Sequence, residues 1–393
     1  MDHVARAVVP VDVGKNPLAL WEPLRRALDG DGPAVLPTVG PRDNAELTGP
    51  LDPGEDVSGD PTALVVATSG STGKPKGVLL SAGALLASAA ATHRWLGSRG
   101  TWLLATSPLY IGGIQVLVRS MLAGTEPGVM DRAGGFRPEP FAEAARSVLA
   151  IPGCHYTALV PTQLARLLDA GGDALEAACG FDGIVLGGAA TPVALRRRAV
   201  EAGVRVVAAY GMSETASGCV YDGTPLEDVR VRLGAAGRIE LSGPVLARGY
   251  RHQPRLTAAS FVDGWFRTSD LGRLDANGRL EVIGRADDVI NTGGVKVIAA
   301  EVERVLLDQP GVAQACVVGV PDQEWGELVG AAIVPDAAAA PNLSELRAAV
   351  RAALGAPAVP KRFLLLEQLP PRGPGKADRE RIRALLSQSR HRR

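Results

Sequence analysis

The 393-residue sequence has few cysteines, few aromatic residues and no net charge. The sequence contains no C-x-x-C pair, which argues against a zinc site or a disulfide framework and favours a reducing cytoplasm. Lys and Arg total 42, as do Asp and Glu, so nucleic acid is not expected as a partner. No apolar run approaches the roughly 18 residues of a membrane span, and the N-terminus lacks a signal-peptide core. We therefore expect a cytoplasmic protein with neither a nucleic-acid nor a membrane partner.

What the chain does have is glycine (47) and proline (29), which separate short strand-like and helix-like segments. Segments 155–160, 183–186 and 204–209 read as buried strands, with helices predicted at 161–168 and 194–202 between them. Such an alternation predicts an α/β layer with crossover connections.

After about Asp287 the pattern changes to a small α+β unit, with strands at 295–298, 313–320 and 331–334 and helices at 300–307 and 343–354. A chain of this length exceeds what one core usually organises, so two domains are expected. We place them at 1–286, a large α/β N-terminal domain, and 287–393, a small α+β C-terminal domain.

The strongest local signal is the segment Thr68-Ser69-Gly70-Ser71-Thr72-Gly73-Lys74-Pro75-Lys76-Gly77-Val78. It follows the apolar strand predicted at 63–67 and precedes a helix predicted at 84–96. Bare backbone N–H groups, short hydroxyl donors and lysines suit a loop that wraps polyphosphate. It is not a Walker A loop because no Gly-Lys-Ser/Thr closes it. The alternative is a flexible connector.

At these residues the sequence resembles the adenylate-forming superfamily of acyl-CoA synthetases, nonribosomal peptide adenylation domains and firefly luciferase. That resemblance implies a multi-sheet N-terminal domain, a mobile C-terminal domain and ATP binding. It assigns nucleotide contacts to Thr68, Ser69, Gly70, Ser71, Thr72, Gly73 and Lys76.

A second matching segment is Tyr210-Gly211-Met212-Ser213-Glu214-Thr215. The resemblance implies that Tyr210 stacks on adenine, that Glu214 is catalytic and binds Mg²⁺, and that Gly211, Met212 and Thr215 line the nucleotide site. An aromatic face and a hard oxygen ligand suit these roles, and a turn that carries a solvated carboxylate is the alternative. The resemblance also places Gly188 and Ala189 beside the adenine, although a tight turn explains those residues nearly as well.

Two further segments resemble the family's ribose and hinge regions. Asp270, in Trp265 to Gly272, is implied to accept the ribose hydroxyls, since two carboxylate oxygens suit a vicinal diol. Arg285 is implied to reach the nucleotide and Asp287 to act as the interdomain hinge. A surface salt-bridge cluster is the alternative for the Arg285-Ala286-Asp287-Asp288 turn.

The C-terminal segments complete the resemblance. Gly293-Gly294-Val295-Lys296 resembles the loop that lines the pantetheine tunnel, so Gly294 and Lys296 are implied on the coenzyme A side. Lys376, in the Pro-rich loop before Arg379, is implied to be the catalytic lysine; a solvated lysine is the alternative. Where relatives commonly carry a His, this chain has Ile111 after Tyr110, so a gating role there is not assigned. The region before Thr68 is also shorter than in most relatives.

These implied roles describe a ligase that uses ATP, Mg²⁺ and coenzyme A. A small-molecule carboxylic acid would form an acyl-AMP and then an acyl-CoA thioester. A homodimer is one option that the sequence leaves open.

The compact length and the segment Gly218 to Gly223 resemble o-succinylbenzoate–CoA ligases of menaquinone biosynthesis. Such a diacid requires a cationic or donor group in its pocket, for which His155, Thr157 and Arg94 are candidates beside the alternative of core or solvated residues. Another aryl or fatty acyl-CoA ligase, a carrier-protein-loading adenylation enzyme and an inactive nucleotide-binding regulator remain alternatives.

Overall fold

The computed structural model describes residues 6–40, 43–52, 55, 59–69, 75–336, 340–373 and 376–388, without the side chains of Ser69 and of residues 371–376. Backbone contacts divide the chain into two compact units. Unit 1 comprises Met1–Thr191, Leu195–Arg232 and Glu240–Arg267, and unit 2 comprises Pro192–Ala194, Leu233–Ile239 and Thr268–Arg393. The main division thus lies at Arg267/Thr268. The domain ranges 1–286 and 287–393, with a hinge at Asp287, stay a prediction.

Unit 1 begins with an α/β sheet. Its elements are β1 (Ala7–Asp12), α1 (Trp21–Leu28), β2 (Ala34–Thr38), β3 (Gly49–Pro50), β4 (Thr62–Ser69), β5 (Pro75–Ser81) and α2 (Ala82–Leu96). The strand order is β5-β4-β2-β1-β3, and a later strand, Gly249–Tyr250, pairs with the outer edge of β5. Side chains of this sheet form an apolar core that includes Val8, Leu36 and Val65.

The predicted strand-to-helix setting of the 68–78 segment is wrong, because β5 lies between the loop and α2. Strands β4 and β5 are antiparallel, with Thr68 opposite Lys76. The loop is therefore the connection of a β-hairpin. Helix α2 begins only after β5, where the Ser81 side chain accepts a hydrogen bond from Ala84 N.

A second sheet of unit 1 follows in chain order. Its elements are β6 (Thr101–Leu104), α3 (Ile111–Ala123), β7 (Gly128–Val129), α4 (Pro138–Leu149), β8 (His155–Leu159), α5 (Pro161–Ala170), α6 (Gly172–Gly180), β9 (Gly183–Leu186), α7 (Val193–Glu201), β10 (Val206–Met212), β11 (Ser217–Tyr221) and β12 (Thr224–Pro225). The order is β12-β11-β10-β9-β8-β6-β7, and the pairs from β10 through β7 are parallel. The predicted strand–helix–strand alternation is confirmed, and its helices cover a core built around Leu103, Phe141 and Ile184.

Several strands and a helix lie along residues 230–285, the segment in which the chain divides between the two units. They are β13 (Arg230–Leu233), β14 (Arg238–Ser242), β15 (Gly249–Tyr250), α8 (Pro254–Ser260), β16 (Phe261–Val262), β17 (Trp265–Leu274) and β18 (Leu280–Arg285). In unit 1, β16 pairs with Trp265 and Phe266. In unit 2, the remainder of β17 pairs with β18, with Asp270 opposite Arg285.

Unit 2 is the α+β arrangement that the sequence predicts. Its further elements are β19 (Val289–Thr292), β20 (Val295–Ile298), α9 (Ala299–Leu307), β21 (Val312–Asp322), β22 (Gly326–Pro335), α10 (Leu343–Leu354), β23 (Arg362–Leu365), β24 (Pro371–Gly373), β25 (Lys376–Ala377) and α11 (Arg379–Gln388). Strands β20-β19-β22-β21 form a sheet, with β23 beside β22. Separate apolar clusters join its strands to α9 and α10 and to α11. Across the described residues, no helix has the length and apolar character to cross a membrane.

Candidate active site

The carboxyl ends of the parallel strands β8, β9 and β10 gather several predicted nucleotide residues. Gly187 N donates to Leu159 O at 3.0 Å, which ties the end of β9 to the end of β8. Gly188 follows with φ +81°, a conformation that favours glycine. Tyr210 lies on β10, the next strand of the sheet. Gly188 and Ala189 thus follow the strand beside Tyr210, at the edge where ligands bind in open α/β sheets.

Close approach of β10 and β11 explains the glycine at position 211. A Cβ there would lie 2.1 Å from Ser217 O, a steric clash that only glycine avoids. Gly218 is also confined, because its Cβ would lie 2.8 Å from the Tyr221 ring. The strand pairing alone therefore requires Gly211, and its contact with nucleotide stays a prediction.

Glu214 lies in a 3₁₀ turn, Ser213–Thr215, which is held by backbone and side-chain hydrogen bonds. Met212 N donates to Thr215 Oγ1 at 2.9 Å, so Thr215 shapes the turn. Ala247 N donates to Glu214 O at 2.8 Å. The turn ends at Ala216, whose φ of 51° is unusual for a residue other than glycine. This turn fixes the backbone from which the Glu214 carboxylate projects.

Tyr250, which the sequence analysis missed, holds the Glu214 carboxylate. Its hydroxyl donates to Glu214 Oε1 at 2.9 Å, and only 6% of the residue is exposed. Burial, reinforced by the Glu214 charge, raises the pKa of Tyr250 well above its usual range, so the hydroxyl remains a donor. Lys76 Nζ lies 5.5 Å from the centre of the Tyr250 ring. Tyr250 therefore lies between Lys76, in the hairpin that is predicted to bind phosphate, and Glu214, the predicted metal ligand.

Most of the phosphate loop lies outside the described residues. That applies to Gly70, Ser71, Thr72, Gly73 and the side chain of Ser69. At the base of the hairpin, Thr68 Oγ1 donates to Lys76 O at 3.3 Å. The predicted contacts of this loop with phosphate stay predictions.

In unit 2, Arg285 lies between two carboxylates. Its Nη1 is 3.5 Å from Asp270 Oδ1, and its Nη2 is 2.9 Å from Asp287 Oδ2. Burial opposes the charged form, but Asp270, Asp287 and Asp288 together raise the pKa of Arg285. Asp270 N donates to Thr268 Oγ1 at 3.0 Å, which fixes the backbone of Asp270, the residue predicted to bind the ribose. The predicted ribose, nucleotide and hinge residues thus form one ion-pair cluster.

The segment containing Lys376 is a short hairpin, in which Gly373 pairs with Lys376. The lysine side chain lies outside the described residues. Immediately after the hairpin, Arg379 Nε lies 3.1 Å from Asp288 Oδ2 and its Nη2 lies 2.8 Å from Glu303 Oε1. Burial raises the pKa of Glu303, and Arg379 opposes that effect. Arg379 therefore anchors the chain that follows Lys376.

Gly293 and Gly294 form the turn between β19 and β20. Their φ values are 58° and 80°, and a Cβ on Gly293 would lie 2.7 Å from the Trp325 ring. A two-residue hairpin turn with both φ values positive accounts for the glycine pair. Lys296 is exposed on β20, and the coenzyme A role of Gly294 and Lys296 stays a prediction.

The three acyl-pocket candidates all have structural partners. His155 Nε2 lies 2.6 Å from Ile151 O, and Thr157 Oγ1 donates to Leu103 O at 2.9 Å. Arg94 is half exposed and forms an ion pair with Glu227. These contacts favour the alternative of core and solvated residues for all three. Tyr110 precedes α3 and is 42% exposed.

Comparison with known proteins identifies the family. The model described as AMP-binding enzyme matches residues 16–250, and the AMP-binding enzyme C-terminal domain matches 301–376. The chain belongs to the AMP-binding enzyme family. The first match contains the β4–β5 hairpin, Tyr210, Glu214 and Tyr250, and the second ends at Lys376. The predicted superfamily is confirmed.

Among members of the AMP-binding enzyme family, the chain is 42% identical over 373 residues to a probable 2-succinylbenzoate–CoA ligase of Mycobacterium tuberculosis, covering 94% of this chain and 95% of the relative. A solved o-succinylbenzoate CoA synthetase of Bacillus subtilis, in complex with its acyl-adenylate intermediate, is 26% identical with a TM-score of 0.73, covering 95% and 83% of the two chains. The amide bond synthetase McbA of Marinactinospora thermotolerans is 26% identical with a TM-score of 0.75, covering 96% and 79%. The predicted fold class is confirmed.

The hydrogen bonding of the Glu214 carboxylate is compatible with its predicted role as a magnesium ligand. Tyr250 occupies Oε1, whereas Oε2 has no hydrogen bond within the described part of the chain. Another candidate for a metal site is the group of Asp52, Glu55 and His252, whose three potential ligand atoms lie within 4.8 Å of one another. There, however, Arg251 Nη1 lies 2.6 Å from Glu55 Oε2 and already balances its charge. Glu214 is therefore the better candidate.

Proposed function

We propose that this AMP-binding enzyme is a 2-succinylbenzoate–CoA ligase acting in menaquinone biosynthesis in the cytoplasm. The observation that carries the proposal is the 42% identity with a probable enzyme of that name across almost the full length of both chains. A similar structure, that of the Bacillus subtilis synthetase, holds the acyl-adenylate of the same acid. The sequence-based prediction of an AMP-forming acid–CoA ligase agrees with both.

The reaction proceeds in two displacements. First, a carboxylate oxygen of the acid bonds to the α-phosphorus of ATP, and the bond to pyrophosphate breaks. Lys376 offsets the negative charge that accumulates on the phosphates, a contribution of electrostatics and positioning. Glu214, oriented by Tyr250, would hold Mg²⁺, which when bound neutralises phosphate charge.

In the second displacement the coenzyme A thiolate attacks the acyl carbon, the thioester bond forms and AMP leaves with the electrons of the broken anhydride bond. A rotation of the C-terminal region about Asp287 would withdraw Lys376 and present Gly294 and Lys296 to coenzyme A. One acyl site could then serve both reactions while water is excluded from the anhydride.

A panel of carboxylic acids tests this function. Pyrophosphate release is measured with each acid in the presence of ATP and Mg²⁺, with and without coenzyme A, and the products are identified by mass. We expect the highest kcat/KM with 2-succinylbenzoate and a thioester only when coenzyme A is present. Preference for a fatty acid, or no pyrophosphate with any acid, would overturn the assignment.

An amine acceptor is the second candidate, because the amide bond synthetase is as similar to this chain as the Bacillus subtilis synthetase is, at 26% identity with TM-scores of 0.75 and 0.73. The same assay with an amine in place of coenzyme A distinguishes the two. An amide formed faster than the thioester would favour this second function.

A further inference from the structure

Arg379, the first residue of helix α11, lies at the centre of an ion-pair network in unit 2. Its Nε is 3.1 Å from Asp288 Oδ2 and its Nη2 is 2.8 Å from Glu303 Oε1. Its Nη1 donates to Val317 O at 2.6 Å. One guanidinium thus contacts the 3₁₀ turn at residues 286–288, helix α9 and strand β21 at the same time. Because the guanidinium is planar and rigid, these contacts define the position of Arg379.

The ion pairs of Arg379 are more protected than ordinary surface pairs. The side chains of Asp288, Arg379 and Glu303 are only 24%, 28% and 15% exposed. Burial opposes the charge of Arg379, yet the acidic groups around it, Glu303 first, raise its pKa. Val317 N also donates to Glu303 Oε1 at 2.7 Å, which orients that carboxylate. An exposed pair contributes little because water screens it, so this protected network is the stronger attachment.

The segment that carries Lys376 is joined directly to this network. Gly373 pairs with Lys376 in the short hairpin, and Asp378 N donates to Pro370 O at 2.7 Å across its base. Only two residues separate Lys376 from Arg379. A displacement of Arg379 would therefore displace the backbone from which the lysine projects.

The other side of the network is the predicted hinge. Asp288 directly follows Asp287, and each of these two carboxylates has its own arginine. Asp287 Oδ2 lies 2.9 Å from Arg285 Nη2, whereas Asp288 pairs with Arg379. A rotation about Asp287 would therefore move Asp288 and Arg379 together, because the ion pair joins the residue after the hinge to the start of α11.

We propose that Arg379 is a positioning residue for the adenylation step. By linking the residue after the hinge to the lysine hairpin, it sets where the Lys376 ammonium lies relative to the phosphates of ATP. The inference rests on the proposed function, in which Lys376 offsets charge that accumulates on those phosphates. Such stabilisation requires a donor held in place, and a displacement of about 1 Å can cost about 100-fold in rate. Thioester formation, during which Lys376 is withdrawn, does not need the link.

Arg379→Met tests this role when the two half-reactions are measured separately. Rapid-quench measurement of 2-succinylbenzoyl-AMP formation from ATP and 2-succinylbenzoate gives the adenylation rate. Thioester formation from synthetic 2-succinylbenzoyl-AMP and coenzyme A gives the second rate. We expect the adenylation rate to fall about 10- to 100-fold and the second rate to change by less than about threefold. Arg379→Lys keeps the charge but loses the planar fork, so its adenylation rate should be intermediate.

A double-variant cycle with Lys376→Ala separates positioning from a structural role. If Arg379 acts through the lysine, Arg379→Met has no further effect on adenylation once Lys376 is replaced. A purely structural arginine would lower both half-reactions by the same factor, and its effect would add to that of Lys376→Ala. Either of these two results overturns the proposal.

Arg383→Met is the matched control. Arg383 lies one turn later on α11, and its Nε donates to Gly319 O of β21 at 2.9 Å. It attaches the same helix to the same strand as Arg379 does, but within the described part of the chain it forms no ion pair with the 286–288 turn. Arg383→Met should therefore leave the ratio of the two rates unchanged. A selective loss of adenylation in this variant would contradict a special role of Arg379.

If Arg379→Met does not fold, as judged by thermal melting, Asp288→Ala decides the question. It removes the link to the 286–288 turn and keeps the pair between Arg379 and Glu303. A selective loss of adenylation supports the proposal, and an unchanged adenylation rate overturns it. Failure of the proposed function is separate, because it would appear in the wild type as a different preferred acid or as no pyrophosphate release.

Discussion

Two arginines of unit 1 are equally buried but differently compensated. Arg251 and Arg119 are each 1% exposed. Arg251 donates to Glu55 at 2.6 Å and to the carbonyl oxygens of Thr48, Gly49 and Pro50, whereas Arg119 donates to one phenol and lies over one indole ring. The charge of Arg251 is paired inside the protein, although its Nε, like that of Arg119, has no hydrogen-bond partner in the described part of the chain. The charge of Arg119 has no carboxylate partner among the described residues, so equal burial does not mean equal compensation.

The largest effect is expected on stability, from Arg251→Met. This substitution leaves Glu55 buried and unpaired and frees three backbone carbonyls, which should cost about 3–5 kcal/mol of unfolding free energy. Urea denaturation measures it. Arg119→Met should cost much less, because it removes a charge that has no anionic partner. Equal losses in the two variants would contradict the comparison.

Lys376 extends the comparison to a charge that we propose is used in catalysis. We expect Lys376→Ala to lower acyl-adenylate formation by about 100- to 1,000-fold, since it removes transition-state charge stabilisation, and to spare thioester formation from synthetic acyl-AMP. Asp287→Pro should show the reverse, because it restricts the predicted hinge. Rapid-quench measurement of each half-reaction tests both. Equal loss of the two half-reactions in Lys376→Ala would refute the division of roles.

Tyr250 allows the two oxygens of the Glu214 carboxylate to be compared. Oε1 accepts the Tyr250 hydroxyl, and Oε2 has no hydrogen bond within the described part of the chain. Tyr250→Phe removes the donor to Glu214 Oε1 but leaves the ring near Lys76. The Mg²⁺ concentration for half-maximal adenylation should rise about 10-fold or more, as for other residues that orient a metal ligand. Saturating Mg²⁺ should restore most of kcat. Tyr156→Phe is a matched control, since its hydroxyl bonds to Ser98 instead. A fall in kcat with unchanged Mg²⁺ dependence would exclude this positioning role.

Residues with local partners could be predicted from the sequence, and residues with distant partners could not. Helix α10 extends over residues 343–354 as predicted, because its Asn342 cap accepts hydrogen bonds from Ser344 N and Glu345 N. Strand β5 was missed because it contains Pro75 and Gly77, residue types that are depleted in strands.

The candidate site divides in the same way. Tyr210 and Glu214 belong to one contiguous segment that could be recognised. Tyr250 could not be predicted, because its partner Glu214 lies 36 residues away. Aromatic residues are scarce in this sequence, and that scarcity was the one available signal by which Tyr250 could have been noticed.

An effect of similar size is expected from pH, through His93. Its pKa is lowered from 6.5 to about 4 in the folded chain, first by burial and then by Arg119 and Arg99. The unfolded chain therefore binds a proton that the folded chain does not, so stability should fall as the pH drops from about 6.5 towards 4, by about 1–2 kcal/mol between pH 7 and 5. His93→Gln should remove this part of the pH dependence, as measured by urea denaturation at both pH values. An unchanged pH dependence in His93→Gln would contradict the lowered pKa of His93.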